Sequence, residues 1–369
     1  MKIWHVGASP SPQTVDGLNA TVWLIAQEQA LMSHSITLLL ASPPDEYAQK
    51  IAKKTGIQLM HIPTNIWSYD MKKIELIVNS NKPDIVHMHS VFLPNLATLA
   101  KYLVRKKIPY VITPNAISSK LLKRGWFKKK IYSWLLEKPR FYQASAISSV
   151  TPKEEKAIRD FVPNFTGIIK CIPNPINPNQ ITENRWKGNL KAKKLVYMGR
   201  FDVLHKGIDI LVEIARLLPS DIELHLYGTE DVKTLKWLKH LQSNLPSNIY
   251  FHSPIFDSNK AAILSEASLY IQMSRWEVFG ISIAEAMYLG LPCAVASTVN
   301  FAELFDQHNL GIVLSPEPQT AANRIVEIFK QPAQMKHWSE SAQSYARLHL
   351  LPTTIAKSYL NLYQEVIEQ

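Results

Sequence analysis

Two blocks of short, strongly apolar runs alternate with helix-period segments and are separated by one Pro/Asn-rich stretch, and this doubled pattern constrains the fold of the 369-residue chain most tightly. In the first block MKIWHVGA, SITLLLA, DIVHMHS and YVITPN are too continuously apolar to have one wet face. Such runs are strands of a parallel sheet covered by helices on both sides. Helix-period segments such as ATVWLIAQEQALMS lie between them. The pattern restarts with KLVYMG, IELHLYG, IYFHS, LYIQMS, PCAVAS and GIVLS, alternating with GIDILVEIARLL, NKAAILSEA and SIAEAMYLG. Between the blocks, IPNPINPNQ at 172–180 puts three prolines and three asparagines into nine positions and favours an extended linker. Two doubly wound α/β domains are therefore expected, 1–171 and 181–352, with ligands beyond the carboxyl ends of the strands in a cleft between them. The closing segment 353–369 is helical. Its spacing leaves its packing open, and a return to the N-terminal domain is the expectation.

Composition narrows the setting. With 46% hydrophobic and 19% charged residues the chain has a folded, globular balance, and no stretch is biased enough to read as a disordered tail. The start, MKIWHVGASPSP, lacks the apolar core of a secretory signal. No uninterrupted apolar run reaches the roughly 18 residues that a membrane span needs. The expected location is cytoplasmic. Cys171 and Cys293 stand far apart among apolar neighbours, so both read as buried free thiols rather than a disulfide or a cysteine metal site. A net charge of +11 invites an anionic partner. The excess concentrates in KLLKRGWFKKKIYSWLLEKPR at 120–140, where Lys128, Lys129 and Lys130 stand among aromatic and leucine side chains. That mixture suits an interfacial helix on anionic lipid, and equally a solvated helix face over a core stripe. Nucleic acid is not expected, since no recognition motif accompanies the charge.

Chemistry-bearing residues gather in the second block. Strand KLVYMG runs through Gly199 into Arg200, the loop FDVLH follows, and Lys206 precedes Gly207, which opens a helix. Two cations at a strand end beside free helix amides suit a diphosphate, although a surface loop with two solvated cations fits the same pattern. Gly280 follows a strand and the loop RWEVF where helix SIAEAMYLG begins, so a ligand could approach the amides of Ile281 and Ser282 closely. Eight positions separate Glu277 in that loop from Glu285, expected in the first helical turn. A loop carboxylate can accept from sugar hydroxyls and a first-turn carboxylate from a ribose diol; one capping and one surface glutamate is the plainer alternative.

With Tyr227-Gly228 and Glu303, the set closely resembles the nucleotide-binding domain of the retaining glycosyltransferases of family 4. DGLNATVWLIAQEQALMSHSITLLL resembles that family's first loop and helix, PDIVHMHS its third-strand ending, and PYVITPNAISS with VTPKEEKAI segments bordering the acceptor cleft. The resemblance implies a GT-B fold, two Rossmann-like domains facing a central cleft, and transfer of a sugar from a nucleotide diphosphate donor with retention. It implies that Arg200 and Lys206 neutralise the leaving diphosphate and that Glu277 holds donor sugar hydroxyls. Gly199, the backbone of Phe279, Gly280, Ile281 and Ser282, and Glu303 would surround the donor, Glu285 would bind the ribose, and Gly17 would admit the donor phosphate to the first loop. Stabilising charge on a departing diphosphate is the largest task in such a reaction. Same-face attack, with the leaving phosphate accepting the acceptor proton, needs no protein nucleophile. No Asp-x-Asp occurs, which fits a family expected to work without a divalent metal.

The chain departs from the family pattern in two places. Asp16 precedes Gly17 where many relatives carry a second glycine, and Asn115 stands where a histidine beside the reacting sugar is common. Asparagine can hydrogen-bond a hydroxyl but exchanges no proton near neutral pH. The resemblance implies that His89 and Asn115 lie on the acceptor side. His87 and His89 point to one side of a strand, but no third ligand is in reach by sequence and a metal is not expected. The expected activity is that of a metal-independent hexosyltransferase, cytoplasmic and peripheral at the inner face of the membrane. A UDP-sugar is the favoured donor, no other cofactor is expected, and a glycan or lipid-linked acceptor in polysaccharide or glycolipid synthesis receives the sugar. The alternatives are a non-catalytic nucleotide-sugar sensor or assembly subunit, and a GT-B phosphorylase or epimerase. A redox dinucleotide enzyme is disfavoured because no G-x-G-x-x-G follows the first strand.

Overall fold

The structure is a computed structural model that describes residues 1–14, 17–115, 117, 131–178, 181, 185–229, 234, 236–238, 244–255 and 257–369. Asp16 and Lys128, Lys129 and Lys130 lie outside the described residues. The chain divides into two compact units, Met1–Pro175 with Pro352–Gln369, and Ile176–Leu351.

The first unit is a seven-stranded parallel sheet. Its strands are β1 (Lys2–Val6), β2 (Ser35–Leu40), β3 (Gln58–His61), β4 (Ile85–His89), β5 (Tyr110–Thr113), β6 (Ala146–Ser149) and β7 (Ile168–Cys171), in the order β3-β2-β1-β4-β5-β6-β7. Helices α1 (Gly17–Leu31), α2 (Glu46–Thr55), α3 (Met71–Ser80), α4 (Pro94–Arg105), α5 (Lys138–Tyr142) and α6 (Pro152–Phe161) connect them, with a π-helical turn over Ser133–Glu137 leading into α5. Local signals set several boundaries. Asp45 Oδ1 accepts from Ala48 N at 2.7 Å to start α2, and the Thr151 hydroxyl accepts from Glu154 N at 3.2 Å to start α6. Strand β4 is buried along its whole length, as a central parallel strand must be.

Three strands escape the sequence pattern. QLMH is a short edge strand with half-buried side chains, AISS is half serine, and IIKC is an edge strand. None shows the apolar run that marks a central strand. Cys171, expected to be buried, is exposed because it ends the edge strand β7; Cys293 is buried as expected.

Strand order reverses at β1, so β1 lies directly against β4 and His5 pairs in register with His87. His5, His87 and His89 are all fully buried, and ring nitrogens from the three lie within 4.8 Å of one another. Sequence reasoning found no third histidine because β1 and β4 are distant in the chain and meet only through the crossover. The bonding runs as a chain. His5 Nε2 meets Gln29 Oε1 at 2.8 Å, so that nitrogen carries the proton and Nδ1 accepts from His89 Nε2 at 3.1 Å. His87 Nδ1 meets the Tyr363 hydroxyl at 2.6 Å and Nε2 the Thr113 hydroxyl at 2.7 Å. Among the described residues, His89 Nδ1 and the Gln29 amide nitrogen lack a hydrogen-bond partner in this cluster. The ring nitrogens otherwise bond to neighbours as in a satisfied polar core. His89, expected on the acceptor side, is therefore an interior residue of this chain of bonds.

The second unit repeats the architecture with β8 (Lys194–Met198), β9 (Glu223–Tyr227), β10 (Ile249–His252), β11 (Leu269–Gln272), β12 (Cys293–Ala296) and β13 (Ile312–Leu314), in the parallel order β10-β9-β8-β11-β12-β13. Its helices are α7 (Val203–Lys206), α8 (Ile208–Leu217), α9 (Asp257–Glu266), α10 (Ile281–Leu289), α11 (Phe301–His308), α12 (Pro318–Ile328) and α13 (Pro332–His349). The closing helix α14 (Pro352–Glu368) belongs to the first unit and packs on α1, burying Ile355, Tyr359, Leu362 and Tyr363. Both units are doubly wound parallel sheets, as the alternating pattern implies.

Burial holds the His5 imidazole down to about 4 against its ordinary 6.5, and pushes His87 and His89 well below 6.5. The unfolded chain thus binds more protons below pH 6.5, so stability is full above that pH and is lost as pH falls towards 4. For His5 alone the loss is on the order of 3 kcal/mol. Thermal unfolding followed from pH 7 to pH 4 should show the melting temperature falling over this window, with a shallower slope in His5→Gln.

Candidate functional site

The carboxyl ends of β8 and β11 in the second unit carry the predicted residues. Gly199 follows β8 directly, and the Tyr197 hydroxyl donates to Arg200 O at 2.8 Å, which fixes the turn. Arg200 is exposed and forms no ion pair among the described residues. The stretch expected as a loop is a single helical turn, α7, because Asp202 Oδ1 accepts from His205 N at 2.8 Å and nucleates it. Gly207 then turns the chain with φ 68°, and a Cβ there would lie 2.2 Å from Met273 O. Lys206 is thereby held against the loop after β11.

That loop is clamped from several sides. Arg275 forms a two-pronged pair with Asp209 at 2.8 and 2.6 Å and donates to Val203 O at 2.7 Å. The Trp276 ring stacks on His205 at 4.5 Å, and Asn300 N donates to Glu277 O at 2.9 Å. With its backbone so fixed, Glu277 turns its Oε2 onto Lys206 Nζ, each side chain 15% exposed. Two residues expected to meet different parts of one ligand hold each other in this structure. A pair of that exposure keeps part of its Coulomb attraction without the full desolvation cost of a buried one.

Gly280 has φ 67° and is the residue before α10, so the free amides of the helix start follow directly. Ile281 and Ser282 are half-buried. Phe279 is buried against Phe301 with ring centroids 4.9 Å apart; its side chain belongs to the core, leaving its backbone for a ligand. Glu285 is the fifth residue of α10 and lies in its second turn, one residue further in than expected, because the helix begins at Ile281, one residue before SIAEAMYLG. It is buried and its Oε2 pairs with Lys260 from α9. Sequence reasoning passed over Lys260, since nothing within NKAAILSEA marks one lysine as facing α10. Beneath α10 the Tyr270 hydroxyl lies 2.9 Å from Ser282 Oγ and 2.8 Å from Gln272 Oε1, and Gln272 Nε2 donates to Ser274 Oγ at 2.6 Å. Burial pushes the Tyr270 phenol far up, so it remains a hydroxyl. Glu303 is exposed in the first turn of α11.

In the first unit Gly17 is exposed at the start of α1. Asn115 follows β5 in a left-handed conformation, φ 57°, with both side-chain amide atoms buried and without a hydrogen-bond partner among the described residues. Unmade bonds of that kind cost about 1–3 kcal/mol per group.

Two adjoining family models match most of the chain: Glycosyltransferase Family 4 over residues 15–180 and Glycosyl transferases group 1 over residues 180–345. The chain belongs to glycosyltransferase family 4. Among curated family relatives, it is 24% identical over 303 residues to the alpha-galactosylglucosyldiacylglycerol synthase of Streptococcus pneumoniae, covering 76% of this chain and 79% of that one. Its GT-B fold matches sucrose-phosphate synthase from Thermosynechococcus elongatus, with TM-score 0.79, 17% identity and coverage of 100% and 99% of the two chains. It also matches Anabaena HepE, solved in complex with UDP-glucose, with TM-score 0.74, 16% identity and coverage of 99% and 100%.

Gly188 offers a control for the Gly207 turn, since it has nearly the same φ, 69°, but nothing within 4 Å of an added Cβ. Gly188→Ala should cost roughly 1 kcal/mol, the price of the left-handed backbone alone. Gly207→Ala should cost at least about 2 kcal/mol more, because the added methyl meets the Met273 carbonyl as well. Denaturant midpoints of the two variants check the difference.

Proposed function

We propose that the protein is a retaining hexosyltransferase that moves a sugar from a nucleotide diphosphate sugar, a UDP-sugar by preference, to a glycan or lipid-linked acceptor. The observation that carries this reading is the Lys206–Glu277 pair at the carboxyl end of the second sheet, beside the free amides after Gly280 and Arg200, which has no ion pair among the described residues. A cation for phosphate and a carboxylate for hydroxyls stand in contact, each the other's substitute ligand. HepE, of the same fold, holds UDP-glucose, and the streptococcal relative is named for glycolipid synthesis.

On this reading the donor diphosphate takes Lys206 from Glu277 and meets Arg200 and the α10 amides, while Glu277 accepts from the sugar hydroxyls. The bond from the anomeric carbon to the leaving phosphate oxygen breaks as the acceptor oxygen bonds to the same face. The acceptor proton passes to that phosphate oxygen, so atoms and charge balance without a protein nucleophile. Lys206 and Arg200 stabilise the charge that develops on the diphosphate, the kind of contribution worth about 100- to 1,000-fold in rate. No divalent metal is required by this scheme. Gly199, the Phe279 backbone, Glu303 and Gly17 complete the proposed donor surroundings. The Asn115 amide, without a hydrogen-bond partner among the described residues, is what the first unit offers a hydroxyl on the acceptor side. Lys206→Ala should lower turnover about 100-fold or more in a panel of UDP-, GDP- and ADP-sugars assayed without added metal. Glu277→Gln should lower turnover too, yet bind the free nucleoside diphosphate several-fold more tightly, since no carboxylate then competes for Lys206. Donor binding with no turnover, whatever acceptor is supplied, would support the sensor reading instead.

We also propose a cytoplasmic enzyme peripheral to an anionic membrane. No helix among the described residues is long and apolar enough to cross a membrane, and the Lys/Arg-rich sequence at 120–140 supports attachment by charge with aromatic anchors. Co-sedimentation with phosphatidylglycerol vesicles should be lost when Lys128, Lys129 and Lys130 are replaced by glutamate; unchanged binding would sink this part of the reading.

A further inference from the structure

Glu285 sits deeper than Glu277, its side chain 6% exposed against 15%. Lying in the second turn of α10, it is past the free amides of the helix start. Two titratable groups from other elements face it. Lys260 Nζ from α9 meets its Oε2, and the Tyr270 hydroxyl from β11 is close enough for the Glu285 charge to act on it. Lys260 is itself only 20% exposed, so it is held at that carboxylate rather than waving in solvent. A carboxylate as deep as Glu285 needs a countercharge, and Lys260 is the one cation paired with it among the described residues. The ion pair uses Oε2, and Oε1 accepts no hydrogen bond from the described residues.

We propose that Lys260 is a positioning residue for the nucleoside half of the donor. It anchors Glu285 through Oε2 in the one rotamer that turns the remaining lone pairs to the ribose 2′- and 3′-hydroxyls, and it touches no part of the nucleotide itself. This rests on the nucleotide-sugar reading above. Each carboxylate assigned to the donor then has its own lysine, with different fates. Lys206 leaves Glu277 when phosphate arrives; Lys260 stays on Glu285 when ribose arrives. The difference follows from what each lysine can reach: Lys206 precedes the Gly207 turn at the strand ends, whereas Lys260 lies within α9 and points across to α10.

The test is equilibrium binding of UDP, GDP and ADP, and of the 2′,3′-dideoxy form of whichever binds, to wild type, Lys260→Met, Lys260→Arg, Glu285→Gln and the double variant Lys260→Met/Glu285→Gln. A charge-assisted bond to the diol corresponds to roughly a 10-fold preference, or more, for the ribose form over the dideoxy form in wild type. Lys260→Met should erase most of that preference while binding the dideoxy form as wild type does, and Lys260→Arg should restore it. In the Glu285→Gln background Lys260→Met should cost nothing further, the mark of a residue that acts through another. Equal losses for ribose and dideoxy forms in Lys260→Met, or the same loss with and without Glu285, would overturn the inference. Failure of all three diphosphates to bind wild type would overturn the nucleotide-sugar reading beneath it. Binding of one of them with no effect of Lys260→Met would overturn only the inference.

Discussion

The first unit has no finished interior until the last helix returns to it. Strands β1, β4 and β5 turn His5, His87 and Thr113 into one layer of the core, and a sheet cannot leave such groups under a purely apolar lid. Helix α14 meets that requirement with two tyrosines. Tyr363 reaches His87 Nδ1, and Tyr359 lies 3.2 Å from both the Thr113 and the Ser148 hydroxyls, while Ile355 and Leu362 fill the apolar space around them. The bonds specify where the helix docks in a way that apolar packing alone does not, since a slip along the helix axis would leave several buried partners unmade. The chain therefore crosses out of the first unit, builds the second, and comes back to close the first.

Ion pairs play the corresponding part at the ends of the second sheet. The two-pronged Arg275–Asp209 contact is partly exposed, yet its geometry joins the loop after β11 to the start of α8. It acts on the backbone rather than on a ligand, and its effect is to bring Glu277 within reach of Lys206. Among the described residues the Lys206 and Glu277 side chains, by contrast, bond only to each other. The two pairs sit side by side and differ in their further partners: the Arg275 side chain also donates to a main-chain oxygen, whereas the Lys206 and Glu277 side chains meet no main-chain atom among the described residues.

Much of this was legible in the chain itself. Most central parallel strands announce themselves as unbroken apolar runs, as KLVYMG and DIVHMHS do, so the two doubly wound sheets were readable; the half-serine AISS, interior at β6, was not. Edge strands such as QLMH and IIKC were not, because half-exposed residues obey no such pattern. The glycines at 207 and 280 were legible as turns at helix starts, and both take positive φ. Relations across the sheet were hidden: His5 meets His87 only through the crossover, and Lys260 meets Glu285 only when α9 packs beside α10. A helix boundary displaced by one residue was enough to move Glu285 out of the first turn, which changes its electrostatic support from helix amides to a lysine.

The two units treat the carboxyl ends of their strands differently. In the second unit the left-handed backbone after the strands falls on Gly207 and Gly280, where it costs little and admits close approach to amides. In the first, Ser90 and Phe92 after β4 and Asn115 after β5 take φ of 82°, 60° and 57° without being glycine. Such residues hold strained conformations only where the surroundings over-determine them. Around β4 those surroundings are visible: Arg140 donates to Ser90 O at 3.0 Å and Glu137 accepts from Phe92 N at 3.1 Å, both groups buried beneath the loop. Glu137 closes the π-helical turn, whose wider spacing carries its carboxylate to that position. Free amides at a helix start suit an anion of almost any shape, while a strained loop bearing side chains suits one shape of partner.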